Sequence, residues 1–128
     1  MAVNVLDFRA SAPSTLSGSN PVGVGTSPTF LADVGIFLPA VSPNRVEVVA
    51  TVELAGAFER VFLQILRDGQ VLYSSIQGLE EVYTVTLEAI DFNVPAGFHV
   101  YTFQASKFDG IPVFASTRTL SALALGPI

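Results

Sequence analysis

Apolar and polar residues alternate with a period of two along most of this chain, the spacing of a β-strand whose successive side chains point to opposite faces. In VEVVATVEL, Val46, Val48, Ala50, Val52 and Leu54 share one face and Glu47, Val49, Thr51 and Glu53 the other. The next segment, RVFLQILRDGQVLYSSI, is two apolar runs joined through Asp68-Gly69, a pair that tolerates the positive φ angles of a tight hairpin turn. Further strand-like segments cover 82–90 (VYTVTLEAI), 98–106 (FHVYTFQAS) and 112–125 (PVFASTRTLSALAL). Upstream, TFLADVGIFLPA adds one or two more, ended by Pro39 and the Ser42-Pro43-Asn44 turn.

Turns of Gly, Pro, Asn and Asp separate these segments every ten to fifteen residues or so, the spacing of a sandwich or barrel rather than of βαβ units. About seven or eight short antiparallel strands with long crossings predict an all-β, two-sheet jelly-roll sandwich. An immunoglobulin-like sandwich is the second architecture, without that family's Cys and Trp marks, and an open barrel around a ligand the third.

A chain of 128 residues fits one domain with a core large enough to need no disulfide or metal staple. Residues 26–128 are read as the sandwich and 1–25 as a flexible N-terminal connector, because Ser11 to Pro28 is rich in Ser, Gly and Pro and carries no charge. Fully extended, such a tail spans up to about 80 Å, whereas a domain of this size has a radius of gyration near 13 Å, so it would reach a neighbouring subunit. Its tip, AVNVLDFRA, alternates like a strand. Val3, Val5, Leu6 and Phe8 are therefore the candidate contacts with another subunit's sheet edge or groove.

Charged residues make up only 13% of the chain against 50% hydrophobic, and two strands are apolar on both faces. VFLQILR sets Val61, Leu63 and Ile65 against Phe62, Gln64 and Leu66; FHVYTFQAS sets Phe98 and Val100 against His99, Tyr101 and Phe103. With no helix to cover a second face, a homo-oligomer, expected to be a trimer, would bury it, and Phe62, Leu66, Tyr101 and Phe103 are the candidate interface residues. The plainer reading is that these aromatics fill a generous core.

A net charge of −5 with six Lys and Arg lacks the basic footprint of nucleic-acid binding. No run approaches the ~18 apolar residues of a membrane span, and the first residues do not form a standard signal peptide. Without cysteine there is no thiol chemistry or disulfide. The single histidine, His99, sits mid-strand between apolar residues, where a structural role is expected. Glu80 and Glu81 are adjacent and point apart, the wrong geometry for a catalytic carboxylate pair. Asp91, Asn93 and Asp109 would be conceivable calcium ligands in loops, but turn capping accounts for the two aspartates more simply. The glycines of PVGVGTSP precede neither a helix nor a Lys-Ser/Thr pair, so they form no phosphate loop. The expectation is a non-enzyme without cofactor, metal, nucleic-acid or membrane partner.

The strand GFHVYTFQAS after NVPAG, the hairpin ILRDGQVLYSSI and the cysteine-free, charge-poor composition resemble bacterial endospore surface proteins. These are the tumour necrosis factor-like jelly-roll heads of collagen-like exosporium glycoproteins and the jelly-roll subunits of endospore appendage fibres. The resemblance implies a self-assembling subunit of an extracellular or spore-surface fibre, polymerising through its N-terminal connector and anchored by a spore-coat or exosporium protein. Lacking cysteine, it departs from the disulfide-strengthened fibres. A trimeric ligand- or glycan-binding head is the alternative, using end loops around Asp91–Asn93 and Lys107–Asp109, and phage or capsid decoration is a further one.

Overall fold

The computed structural model describes residues 3–57 and 59–127. Among these described residues nine strands form in chain order: β1 (Asn4–Ser14), β2 (Val22–Gly23), β3 (Thr29–Leu38), β4 (Arg45–Gly56), β5 (Glu59–Arg67), β6 (Gln70–Leu79), β7 (Val82–Phe92), β8 (Gly97–Lys107) and β9 (Val113–Gly126). They build two antiparallel sheets. Sheet A has the order β1-β9-β4-β7, with β2 also paired to β9; sheet B has the order β3-β8-β5-β6. From β3 onward the chain crosses between the sheets at every connection except the β5–β6 hairpin, which makes the sandwich a jelly roll.

The alternation read in β4 holds: Val46, Val48, Ala50, Val52 and Leu54 are all fully buried. They meet Ile36, Leu38, Val61, Leu63 and Ile65 from sheet B between the layers. The hairpin turn also holds, with Asp68 at φ 50° and Gly69 at φ 82°, the left-handed pair a two-residue turn requires.

At the N-terminus the expectation fails. The segment read as a flexible connector is sheet structure from Asn4 on: β1 pairs antiparallel with β9 of its own chain, from Asn4 opposite Gly126 to Ser14 opposite Arg118. The neutral stretch after it is tied down as well. Arg118 Nη1 donates to Asn20 O at 2.8 Å, Val24 N to Val113 O at 2.8 Å, and Lys107 N to Gly25 O at 2.8 Å. Lack of charge here reflects a segment whose polar groups are satisfied by the body of the sandwich.

Candidate functional site

The strands' two outward faces and the two ends of the sandwich are the places where this fold can meet a ligand. The ends come apart as a single site. Asp91 and Asn93 lie where β7 ends and Asp109 lies beyond the end of β8. The eleven residues of β8 hold the two loop clusters at opposite ends of the sandwich, about 35 Å apart. Asp91 is moreover committed: its Oδ2 accepts from Arg67 Nη1 at 2.6 Å and from the Tyr101 hydroxyl at 2.8 Å, between the sheets. Burial, reinforced by the Asp91 carboxylate, raises the Tyr101 hydroxyl far above the usual tyrosine range, so it remains a donor. Asp109 Oδ1 accepts from Ile111 N at 3.3 Å, the turn capping expected of it. Among the described residues no three His, Asp or Glu side chains gather to hold a metal ion.

His99 is engaged through both ring nitrogens. Its Nδ1 lies 2.6 Å from Asp68 Oδ2 and its Nε2 2.6 Å from Pro95 O, so it links the hairpin tip to the β7–β8 loop. The hydrogen bond from His99, followed by that from Val100 N, holds the Asp68 carboxyl below the usual aspartate range.

The interface residues expected from sequence divide. Tyr101 and Phe103 are fully buried between the sheets, and Leu66 is 8% exposed, covered by neighbours although it pairs with outward-facing Thr102. Only Phe62 of that set is partly exposed on the outward face of sheet B. The large exposed residue of β8 is instead Phe98, 66% accessible. The period-two pattern separates the two faces of this strand correctly, and the face chosen for contact is the inward one.

The outward face of sheet B has a defined layout. At one end Phe98 pairs with Phe37, and next to Phe37 the adjacent outward position on β3 is Gly35. A Cβ at Gly35 would collide with the Phe98 ring, lying 2.7 Å from its Cε2, so the absence of a side chain lets the ring rest over the sheet. Toward the middle come Asp33 opposite Thr102, then Gln104 opposite Gln64. Gln104 Nε2 donates to Gln64 Oε1 at 2.7 Å, which leaves the Gln104 carbonyl oxygen and the Gln64 amide group as an acceptor and a donor for a third party. At the far end Phe62 meets Phe108 edge-to-face, ring centroids 6.3 Å apart, with the Arg60 guanidinium 4.5 Å over Phe108. From Phe98 to Ser106, which pairs with Phe62, the strip runs roughly 26 Å.

Among the described residues, clefts lie on the outward side of sheet A at both ends. One, about 510 Å³, is lined by Ser17, Gly18, Glu53, Val82, Phe114 and Ser116. Its carboxylate is already occupied: Glu53 accepts from Ser17 Oγ at 2.7 Å, Ser116 Oγ at 2.8 Å and Gly18 N at 3.1 Å, clamping the β1–β2 loop onto the sheet. The Ser17 and Ser116 hydroxyls, with the Gly18 amide, hold the Glu53 carboxyl below the usual glutamate range. Since the folded-state value is depressed, the unfolded chain takes up the proton first; the clamp's contribution is complete above the ordinary value of about 4.3 and is lost as pH falls through the lower folded value. The Gly18 amide resonance is expected to titrate with a midpoint below that ordinary value and to stop titrating in Glu53→Gln. A midpoint at or above it would contradict the clamp. The other cleft, about 320 Å³, includes Val3, Pro43, Arg45, Phe92 and Leu125.

These positions place the expected connector contacts. Val5 and Phe8 point outward from β1, 64% and 50% exposed, Val3 lines the second cleft, and Leu6 packs against the core. The signal that sequence reasoning missed is Gly35, an isolated glycine inside a strand pattern, which marks a close approach of another group.

No protein-family model matches the sequence. No curated protein matches it either. Among solved structures, the chain is similar to a "Carbohydrate-Binding Module CBM36 in complex with calcium and xylotriose", at TM-score 0.50 and 10% identity over 94% of this chain and 98% of that one. A second is the CBM36-1 domain of a multidomain xylanase from the hindgut metagenome of Trinervitermes trinervoides, at TM-score 0.48 and 9% identity over 95% and 98%. At such identity the first likeness is one of fold: this chain is an all-β, two-sheet jelly-roll sandwich of the kind seen in that carbohydrate-binding module.

Proposed function

We propose that the protein is a non-catalytic carbohydrate-binding head that takes an extended, neutral oligosaccharide along the outward face of sheet B. The observation that carries this reading is the Phe98 ring set over Gly35 and left two-thirds in water. A pyranose presents an apolar C–H face and a rim of hydroxyls. Phe98 offers a surface for the first, and the Gln64–Gln104 amide pair with Thr102 offers donors and acceptors for the second. The sandwich fold, shared with a carbohydrate-binding module, supports the reading by analogy. The end loops named from sequence give way to the sheet face, since they lie at opposite ends.

Titration calorimetry against a panel of neutral soluble polysaccharides tests it. Saturable binding is expected, weakened about tenfold or more in Phe98→Ala, a loss of roughly 1.4 kcal/mol or more, with an unchanged circular dichroism spectrum. A Phe98→Ala variant that binds as the parent does would sink the assignment, as would a parent that binds none of the panel.

The second reading is a self-assembling subunit of an extracellular or spore-surface fibre. Its support is the apolar character of the outward face of sheet A, where Phe8, Ile90 and Phe92 are half or more exposed. In that reading the β1 strand, here paired within its own chain, would be exchanged between copies. Electron micrographs of purified protein showing filaments that vanish on deletion of residues 1–20 would favour it over a discrete head.

A further inference from the structure

We infer that a second copy of this chain covers the outward face of sheet A at the end where β1, β9, β4 and β7 meet. The register lays this face out in rows. Val5, Leu125, Arg45 and Phe92 are lateral neighbours across the four strands, and so are Phe8, Leu123, Glu47 and Ile90. Each row thus has three apolar members and one charge. The two charges neutralise each other, Arg45 Nε lying 2.9 Å from Glu47 Oε2.

The exposed apolar residues of these rows, with Val3 beside them in the cleft it shares with Phe92 and Leu125, form one patch. Val3, Val5, Phe8, Ile90 and Phe92 are 52%, 64%, 50%, 55% and 65% accessible. Together they leave on the order of 500 Å² of apolar side chain in water, at the upper end of what a monomer's largest patch shows. A standard interface takes about 800 Å² from each partner, so this patch with its half-buried Leu123 and Leu125 supplies the greater part of one.

Charge selects the occupant. Within these two rows the only charged side chains are the paired Arg45 and Glu47, so covering them buries no net charge, and two copies of the same patch meet without like charges forced together. A nucleic acid or an anionic membrane would find no excess positive charge here. A patch that is apolar and carries no net charge can be covered by its own image without burying an unpaired charge. This location replaces the contact expected at Tyr101 and Phe103, which the core uses. The face lies opposite the strip assigned to carbohydrate, so the two proposals stand or fall separately.

Sedimentation velocity on the full chain at tens of micromolar tests the inference. The parent is expected to sediment as an oligomer, and the pair Ile90→Lys with Phe92→Glu as a monomer that keeps the parent's circular dichroism and melting behaviour. Both positions are outward and more than half exposed, so folding is not at stake. Phe98→Ala, on the other sheet, is expected to remain oligomeric whatever its effect on carbohydrate. A monomeric parent overturns the inference, as does an oligomer that survives the double substitution or one that Phe98→Ala dissociates.

Discussion

Phe103→Ala is expected to lower stability by about 3–5 kcal/mol, a fall in melting temperature on the order of 10–20 °C for a chain this size. Phe103 is fully buried on β8, which lies between β3 and β5 at the centre of sheet B, and its side chain faces the sandwich core beside Tyr101 and Ala105. Removing the ring loses its transfer free energy and leaves a cavity that the flanking sheet strands, fixed by their hydrogen bonds, fill only in part. The contrast with an interface role is sharp. An interface phenylalanine truncated to alanine would dissociate subunits while each subunit stayed folded. Urea denaturation separates the two, and an unchanged midpoint in Phe103→Ala would return this residue to the surface.

Asp91→Ala is expected to cost about 3 kcal/mol, nearly as much, although it removes only a short side chain. Its carboxylate is the shared acceptor for Arg67 and for the Tyr101 hydroxyl, with 9% of its side chain exposed. Without it, a guanidinium only 20% exposed and a fully buried hydroxyl lose their partner together. Tyr101→Phe, which gives up one hydrogen bond and leaves the ion pair intact, is expected to cost only about 1 kcal/mol. If the two variants proved equally stable, Asp91 would not be the centre of the cluster.

Strand identity and facing were legible where local chemistry decides them. β4 alternates because one face is core, and Asp68-Gly69 turns because those two residues accept positive φ. Two other features depended on distant partners. On β8 both faces are apolar, so the period separates Phe98 from Tyr101 without saying which is inside. The answer comes from Asp91 on β7, which receives the Tyr101 hydroxyl, and from Gly35 on β3, which accommodates the Phe98 ring. Likewise, Ser17 to Gly18 reads as a pliable spacer from its own composition. What pins it is Glu53, more than thirty residues away in sequence. The candidate end-loop site failed for a geometric reason, because the eleven-residue β8 spans the distance between Asn93 and Asp109.

Mapping amide chemical shifts while a neutral oligosaccharide is titrated in examines the proposed carbohydrate contact on the outward face of sheet B residue by residue. Saturable shifts are expected on β3, β8 and β5, concentrated around Gly35, Phe98, Thr102, Gln104 and Gln64. Shifts confined to the loops at 93–96 or 107–111, or no shift with any oligosaccharide that the polysaccharide panel nominates, would contradict it.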